Sequence, residues 1–167
     1  MNAITLREPW ASLVAIGAKK IETRSWPAPA SLVGQRIAIH AAKGLTEFEF
    51  RAATHGAIGE ALHESGVPIY PLVDDDDRRT LLQLAFGDTR GCVIATAVLA
   101  DCVQFNAERV DFIARSLGAD ELSFGDFTPG RYGWYLVEVE RLPEPIPAKG
   151  ALGVWEWTPP AGCEVLS

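Results

Sequence analysis

The spacing of apolar positions changes period several times along the chain, and each change predicts an element. Ile4-Thr5-Leu6 alternates and predicts a short strand. Pro9 suits the first position of a helix, and Trp10, Leu13, Val14 and Gly17 follow at i, i+3, i+4 and i+7. This predicts a short amphipathic helix over residues 9–16, buried on its Trp10/Leu13/Val14 side. Gly17 falls where a left-handed cap is needed, a conformation that costs glycine no Cβ clash. Residues 20–25 return to period two, with Ile21 and Thr23 on one face and Glu22 and Arg24 on the other. Pro27 and Pro29 end that strand. After Gly34, residues 36–41 alternate again, Ile37 and Ile39 against Ala38 and His40.

Residues 46–65 read as one helix through Phe50, Ala53, Ala57, Ala61 and Leu62, with Gly66 as its stop and Gly56 and Gly59 inside it. Residues 67–73, with two prolines, predict an extended segment. The acidic run 74–77 is read as a solvated stretch favouring the N-terminus of a helix over 78–86. Residues 91–99 are apolar on both faces, which predicts a central strand. Asn106 is placed to cap a helix over 108–117 that Gly118 closes. Residues 119–130 predict a flexible loop, and 132–140 alternate as a strand. Pro143, Pro145 and Pro147 predict an extended edge segment, and 153–158 a last short strand. Strands outnumber helices and are interspersed with helices of uneven length. The expectation is a single α+β domain over residues 1–167: a mixed, barrel-like sheet with helices packed around it.

Composition narrows this picture. A chain of 167 residues, 48% apolar and 22% charged, supports one domain with a real core. The first residues have neither a basic flank nor a long apolar run, so no signal peptide or membrane span is expected. Cys92, Cys102 and Cys163 form no C-x-x-C pair, which argues against a disulfide framework or a zinc site and for a reduced, cytoplasmic protein. The net charge of −7 is set against non-specific polyanion binding. Tight coating of duplex DNA is not expected; a defined pocket, where a few cations focus the field, is.

The candidate chemistry starts at Lys19, Glu22 and Arg24. On a strand Glu22 and Arg24 share a face, and Lys19 at the preceding junction reaches the same region. Cations there suit phosphate, and the carboxylate suits base amino or ribose hydroxyl groups. Burial would turn the lysine or glutamate toward acid–base work. The alternative is an exposed strand face carrying an ion pair of little worth. Arg7, Trp10 and Ser12 lie just ahead: Arg7 is a phosphate candidate, while the spacing of Trp10 also suits the core. His40, with Lys43 soon after, is either a structural histidine or a catalyst. Tyr132 and Trp134 alternate on one strand face and Trp26 follows the charged cluster, so one or two of them are candidates to stack on a base. No P-loop, G-x-G-x-x-G, H-E-x-x-H or G-x-S-x-G pattern is present, and neither cofactor nor metal is expected.

Ile4-Thr5-Leu6-Arg7-Glu8-Pro9-Trp10-Ala11-Ser12-Leu13, followed by Gly17-x-Lys19-x-x-Glu22-x-Arg24, resembles the ASCH (activating signal cointegrator homology) family and its G-x-K-x-x-E-x-R signature. Residues 37–43 and 147–155 also resemble stretches common in its members. The resemblance implies a PUA-like fold, a small β-barrel with helices, related to modules that bind RNA or modified bases. It further implies that Lys19, Glu22 and Arg24 line a ligand cleft beside the barrel. One bacterial branch of the family consists of acetylcytidine amidohydrolases that use the motif lysine with a threonine nucleophile. Here Glu22 stands at that threonine's position, and Thr23 is expected on the opposite strand face. Three readings follow. The first is a module binding RNA or a modified nucleotide, with Arg7 and Lys43 as further phosphate contacts. The second is a ribonuclease or modified-nucleoside amidohydrolase using Lys19 and Glu22. The third is an interaction protein whose cleft has drifted.

Overall fold

The computed structural model describes residues 1–67 and 86–161. The acidic run 74–77, Cys163 and nearly all of the segments expected at 67–73 and 78–86 lie outside the described residues. Six strands form one sheet: β1 (Asn2–Leu6), β2 (Ile21–Arg24), β3 (Arg36–Ala41), β4 (Cys92–Gln104), β5 (Tyr132–Pro147) and β6 (Val154–Glu156). Their order is β2-β5-β4-β3-β1-β6. The β1–β3 pair is parallel and every other pair antiparallel, so the sheet is mixed, as expected. It curls into a half-barrel rather than a closed one, with β2 and β6 at its two edges.

The main core gathers Ile4 and Leu6 of β1, Ile37 and Ile39 of β3, Ala95 and Leu99 of β4, and Trp134 and Leu136 of β5. Helix α1 (Trp10–Ala15) packs against β3, β4 and β5 and adds Ala11, Val14 and Ala15. All five residues after Trp10 are buried, whereas Trp10 itself is half-buried beside Phe48. The expected Trp10 side of the helix is therefore its cleft-facing margin, because so short a helix pressed into the sheet buries most of its circumference. Gly17 has φ +75°, the left-handed cap its position calls for.

Four further expectations change. Residues 46–65 form two helices, α2 (Glu47–Thr54) and α3 (Gly56–Glu64), broken where His55 is extended and Gly56 has φ +59°. Gly59 lets the two close up: a Cβ there would lie 2.9 Å from the Thr54 carbonyl carbon. Thr46 and Glu49 form a capping box on α2. After α4 (Ala107–Leu117), which Asn106 caps through the Arg109 amide as expected, the predicted loop opens with a helix, α5 (Ala119–Ser123). The central strand runs on to Gln104. Finally, the segment carrying Pro143, Pro145 and Pro147 is not separate from the preceding strand: β5 continues through it, paired to the start of β4. β2 pairs only with Tyr132–Tyr135, so among the described residues no strand pairs with the other side of the later part of β5. Alternate residues of a strand point their N–H groups the same way, so the three prolines direct their missing donors to one side.

Candidate functional site

The turn at Gly17 aims the next residues across the edge of the sheet, with the Lys19 amide bonded to the Leu13 carbonyl at 3.0 Å. Lys19 is 1% exposed. Its Nζ donates to the carbonyls of Ile21 (2.6 Å) and Phe124 (2.7 Å) and lies 3.6 Å from Glu22 Oε2. Desolvation lowers the lysine's pKa from its ordinary value, against the opposing pull of Glu22 and Glu121. A Cβ on Gly125 would come within 3.1 Å of that Nζ and 2.9 Å of the Thr23 methyl, so only glycine lets the 124–126 loop lie this close.

Glu22 in turn meets Arg24, whose Nε is 3.0 Å from Glu22 Oε1. Arg24 Nη2 donates to the Thr5 carbonyl at 3.0 Å, and its guanidinium sits 6.0 Å from the Trp26 ring. The strand itself is positioned from below by Glu121, a buried carboxylate of α5. It accepts the Lys20 and Ile21 backbone N–H groups at 2.9–3.1 Å.

Lys19, Glu22 and Arg24 line a cleft of about 860 Å³ together with Arg7, Trp10, Thr23, Trp26, Phe48, Phe124, Asp126 and Arg131. Thr23 lines it despite its alternation with Glu22. β2 is an edge strand, and the cleft runs along the edge rather than over one face. Arg7 is exposed and pairs with Glu49 of the α2 capping box; Arg131 pairs with Asp126 at 3.2 Å. The aromatic side is supplied by Trp10 stacked on Phe48 (6.5 Å, 28°) and by Trp26, which stands edge-on to the fully buried Trp134 (4.9 Å, 88°).

The other sequence candidates lie elsewhere. Ser12 is buried and faces a separate cavity of about 520 Å³. Its hydroxyl and amide both donate to the Glu8 carboxylate at 3.0 Å. Glu8 is fully buried and also accepts from Thr89, and burial raises its pKa above the usual carboxylate value. Tyr132 pairs with Arg24 across β2 and β5 and packs on the main core, outside the residues that line the cleft. His40 and Lys43 line a neighbouring groove of about 910 Å³. The His40 ring is buried, donates from Nε2 to the Ala148 carbonyl at 3.1 Å, and meets Trp155 edge-on at 5.6 Å. Burial lowers its pKa. Sequence reading passed over Glu8, Glu49, Glu121 and Arg131. Only Glu49 carried a local signal, the Thr46-x-x-Glu49 capping pattern. Among the described residues no cluster of metal-ligating side chains occurs, and no helix is long and apolar enough to cross a membrane.

The ASCH domain family matches this chain over residues 4–145. The protein belongs to the ASCH domain family. That family is generally associated with RNA binding. Among solved structures the chain is similar to an ASCH protein from Zymomonas mobilis, with 19% sequence identity and a TM-score of 0.45 over 87% of this chain and 72% of that one. Two single-residue mutants of the same Zymomonas mobilis ASCH protein match at 19% identity with TM-scores of 0.45 and 0.44. No curated protein matches. The ASCH match includes all of Gly17–Arg24 and ends inside β5.

Proposed function

We propose that the cleft binds RNA or a modified nucleotide, with Glu22 and Arg24 as the groups that meet the ligand and Lys19 as the residue that positions them. The observation that carries this reading is the chain of contacts from Lys19 through Glu22 and Arg24 to Trp26, laid along one wall of the cleft. Lys19 spends its donors on two carbonyls and Glu22, so it fixes the carboxylate rather than reaching outward. Glu22 offers acceptors to base amino or ribose hydroxyl groups, Arg24 offers a planar cation, and Trp26 or the Trp10–Phe48 pair offers a stacking face. A PUA-like relationship to base-recognising modules is consistent with this arrangement. Isothermal titration with nucleosides, nucleotides and short single-stranded RNAs tests it. Glu22→Gln and Arg24→Ala should each weaken binding about tenfold or more, in line with ~1–3 kcal/mol for a charge-assisted hydrogen bond. Unchanged affinity in both variants overturns it.

A second reading, hydrolysis of a modified nucleoside or an RNA linkage, is favoured by one observation. Lys19 has a lowered proton affinity beside Glu22, and Thr23 opens on the same cleft. In that reading Glu22 activates water while Lys19 holds its charge. Turnover of acetylated nucleosides or RNA that Glu22→Gln abolishes supports it, and turnover that survives Glu22→Gln excludes this assignment.

A further inference from the structure

The cleft and the groove that holds His40 and Lys43 are continuous: Thr5, Ala42, Ala151 and Leu152 line both. Their electrostatics differ. In the cleft each cation already faces a carboxylate: Arg7 with Glu49, Lys19 and Arg24 with Glu22, and Arg131 with Asp126. Among the described residues lining the groove there is no carboxylate, and neither Lys43 nor Lys149 has an ion-pair partner. An unpaired cation in a concavity is a stronger attractor for phosphate than one already neutralised.

The groove is also built rigidly. Ala148 donates to the Gly91 carbonyl at 3.0 Å and accepts from His40, which holds the backbone on one side of Lys149. On the other side Gly150 lies so close to β1 and β3 that a Cβ would fall 2.4 Å from the His40 ring and 2.9 Å from Thr5 Oγ1. The Lys43 stem lies over Gly91, 3.6 Å from where that residue's Cβ would be. The backbone around Lys149 is thus held on both sides and the Lys43 stem is seated against Gly91, while both lysines stay exposed. At the junction of the two concavities stands Leu152, 98% exposed. Folding buries nothing with that side chain, and an exposed apolar group at the junction of the two recesses suits contact with the face of a base.

We infer that the groove is a phosphodiester track. The ligand is a single-stranded oligonucleotide, one nucleotide of which occupies the cleft while the continuing backbone crosses Leu152 and lies along Lys43 and Lys149. The labour is divided: the cleft reads one nucleotide, and the groove supplies most of the salt-sensitive attraction. This rests on the nucleotide-binding reading of the cleft. It differs from that reading in requiring length dependence and in locating the phosphate charge outside the Gly17–Arg24 segment.

The test compares fluorescein-labelled single-stranded RNA 8-mers with nucleoside 5′-monophosphates on the full chain. Lys43→Glu/Lys149→Glu should weaken 8-mer binding tenfold or more, leave monophosphate binding within twofold, and leave the melting temperature unchanged. In Lys43→Ala/Lys149→Ala the slope of log affinity against log salt should fall by about 1.4, at ~0.7 per phosphate contact on a single strand. Leu152→Ser should weaken the 8-mer by a larger factor than the monophosphate. If 8-mer binding depends on Arg24 and not on the two lysines, the track is overturned while the cleft reading stands. If it depends on neither, both fail. Equal affinity for 8-mer and monophosphate overturns the track alone, and lysine-dependent binding of an acidic peptide without any of RNA overturns the nucleic-acid occupant.

Discussion

Lys19 shows how a residue visible in the sequence acquires a different role once its partners are known. The spacing places it near Glu22 and Arg24 as a cation for the ligand. Its burial and its bonds to the Ile21 and Phe124 carbonyls make it a tie between β2 and the loop after α5. Phe124 is 105 positions away in sequence, so no local pattern could have announced the contact. Lys19→Met is expected to leave two carbonyls and the Glu22 carboxylate without their partner and to cost about 3–5 kcal/mol in urea unfolding. His40 offers a pH-dependent counterpart. Its folded pKa is lowered below the ordinary 6.5, so the unfolded chain takes up the proton first. The histidine's contribution is therefore full above pH 6.5 and is lost as pH falls through the lowered value. His40→Gln should flatten that part of the stability–pH curve, which thermal melts between pH 7.5 and 5 would show.

At the scale of elements, the helices and strands with a clean period were legible: β1, α1, β2, β3 and α4 lie within a few residues of where the spacing puts them. The misreadings share a cause in tertiary contact. The 46–65 helix carries an adequate apolar stripe, yet it breaks at His55 because α2 and α3 fold against each other. Gly56 and Gly59 are there to permit the bend and the close approach. The expected 119–130 loop holds α5 because Glu121 has a specific task, satisfying the backbone donors of Lys20 and of Ile21, the first residue of β2. Burial of that carboxylate is sensible only with those N–H groups in place. Glu121→Ala should therefore destabilise the fold by about 1–3 kcal/mol, the cost of leaving buried donors unpaired. It should also speed hydrogen exchange at the Lys20 and Ile21 amides more than elsewhere in the sheet.

For the molecule as a whole, the expected barrel is a half-barrel whose β2 edge is linked by a side chain to β1, the strand beside the opposite edge. Arg24 of β2 donates to the Thr5 carbonyl of β1, so a group proposed to meet the ligand also spans the seam. Arg24→Lys keeps the charge but cannot reach Glu22 and Thr5 together. It should lower stability by about 1–2 kcal/mol, as for a lost charge-assisted hydrogen bond, and affinity with it. A saturating ligand should raise the melting temperature of the wild type more than that of the variant. The open sheet also has exposed rims, and an exposed rim invites a strand from another molecule. Along the later part of β5 that invitation is withdrawn. Pro143, Pro145 and Pro147 turn a donor-less row outward, so an incoming strand finds carbonyls with no matching N–H groups. Replacing the three with threonine would restore a complete template, and the foreseeable result is sheet-to-sheet self-association at high protein concentration. The alternating prolines thus act as an insulator, keeping the longest of the described strands from recruiting its neighbours.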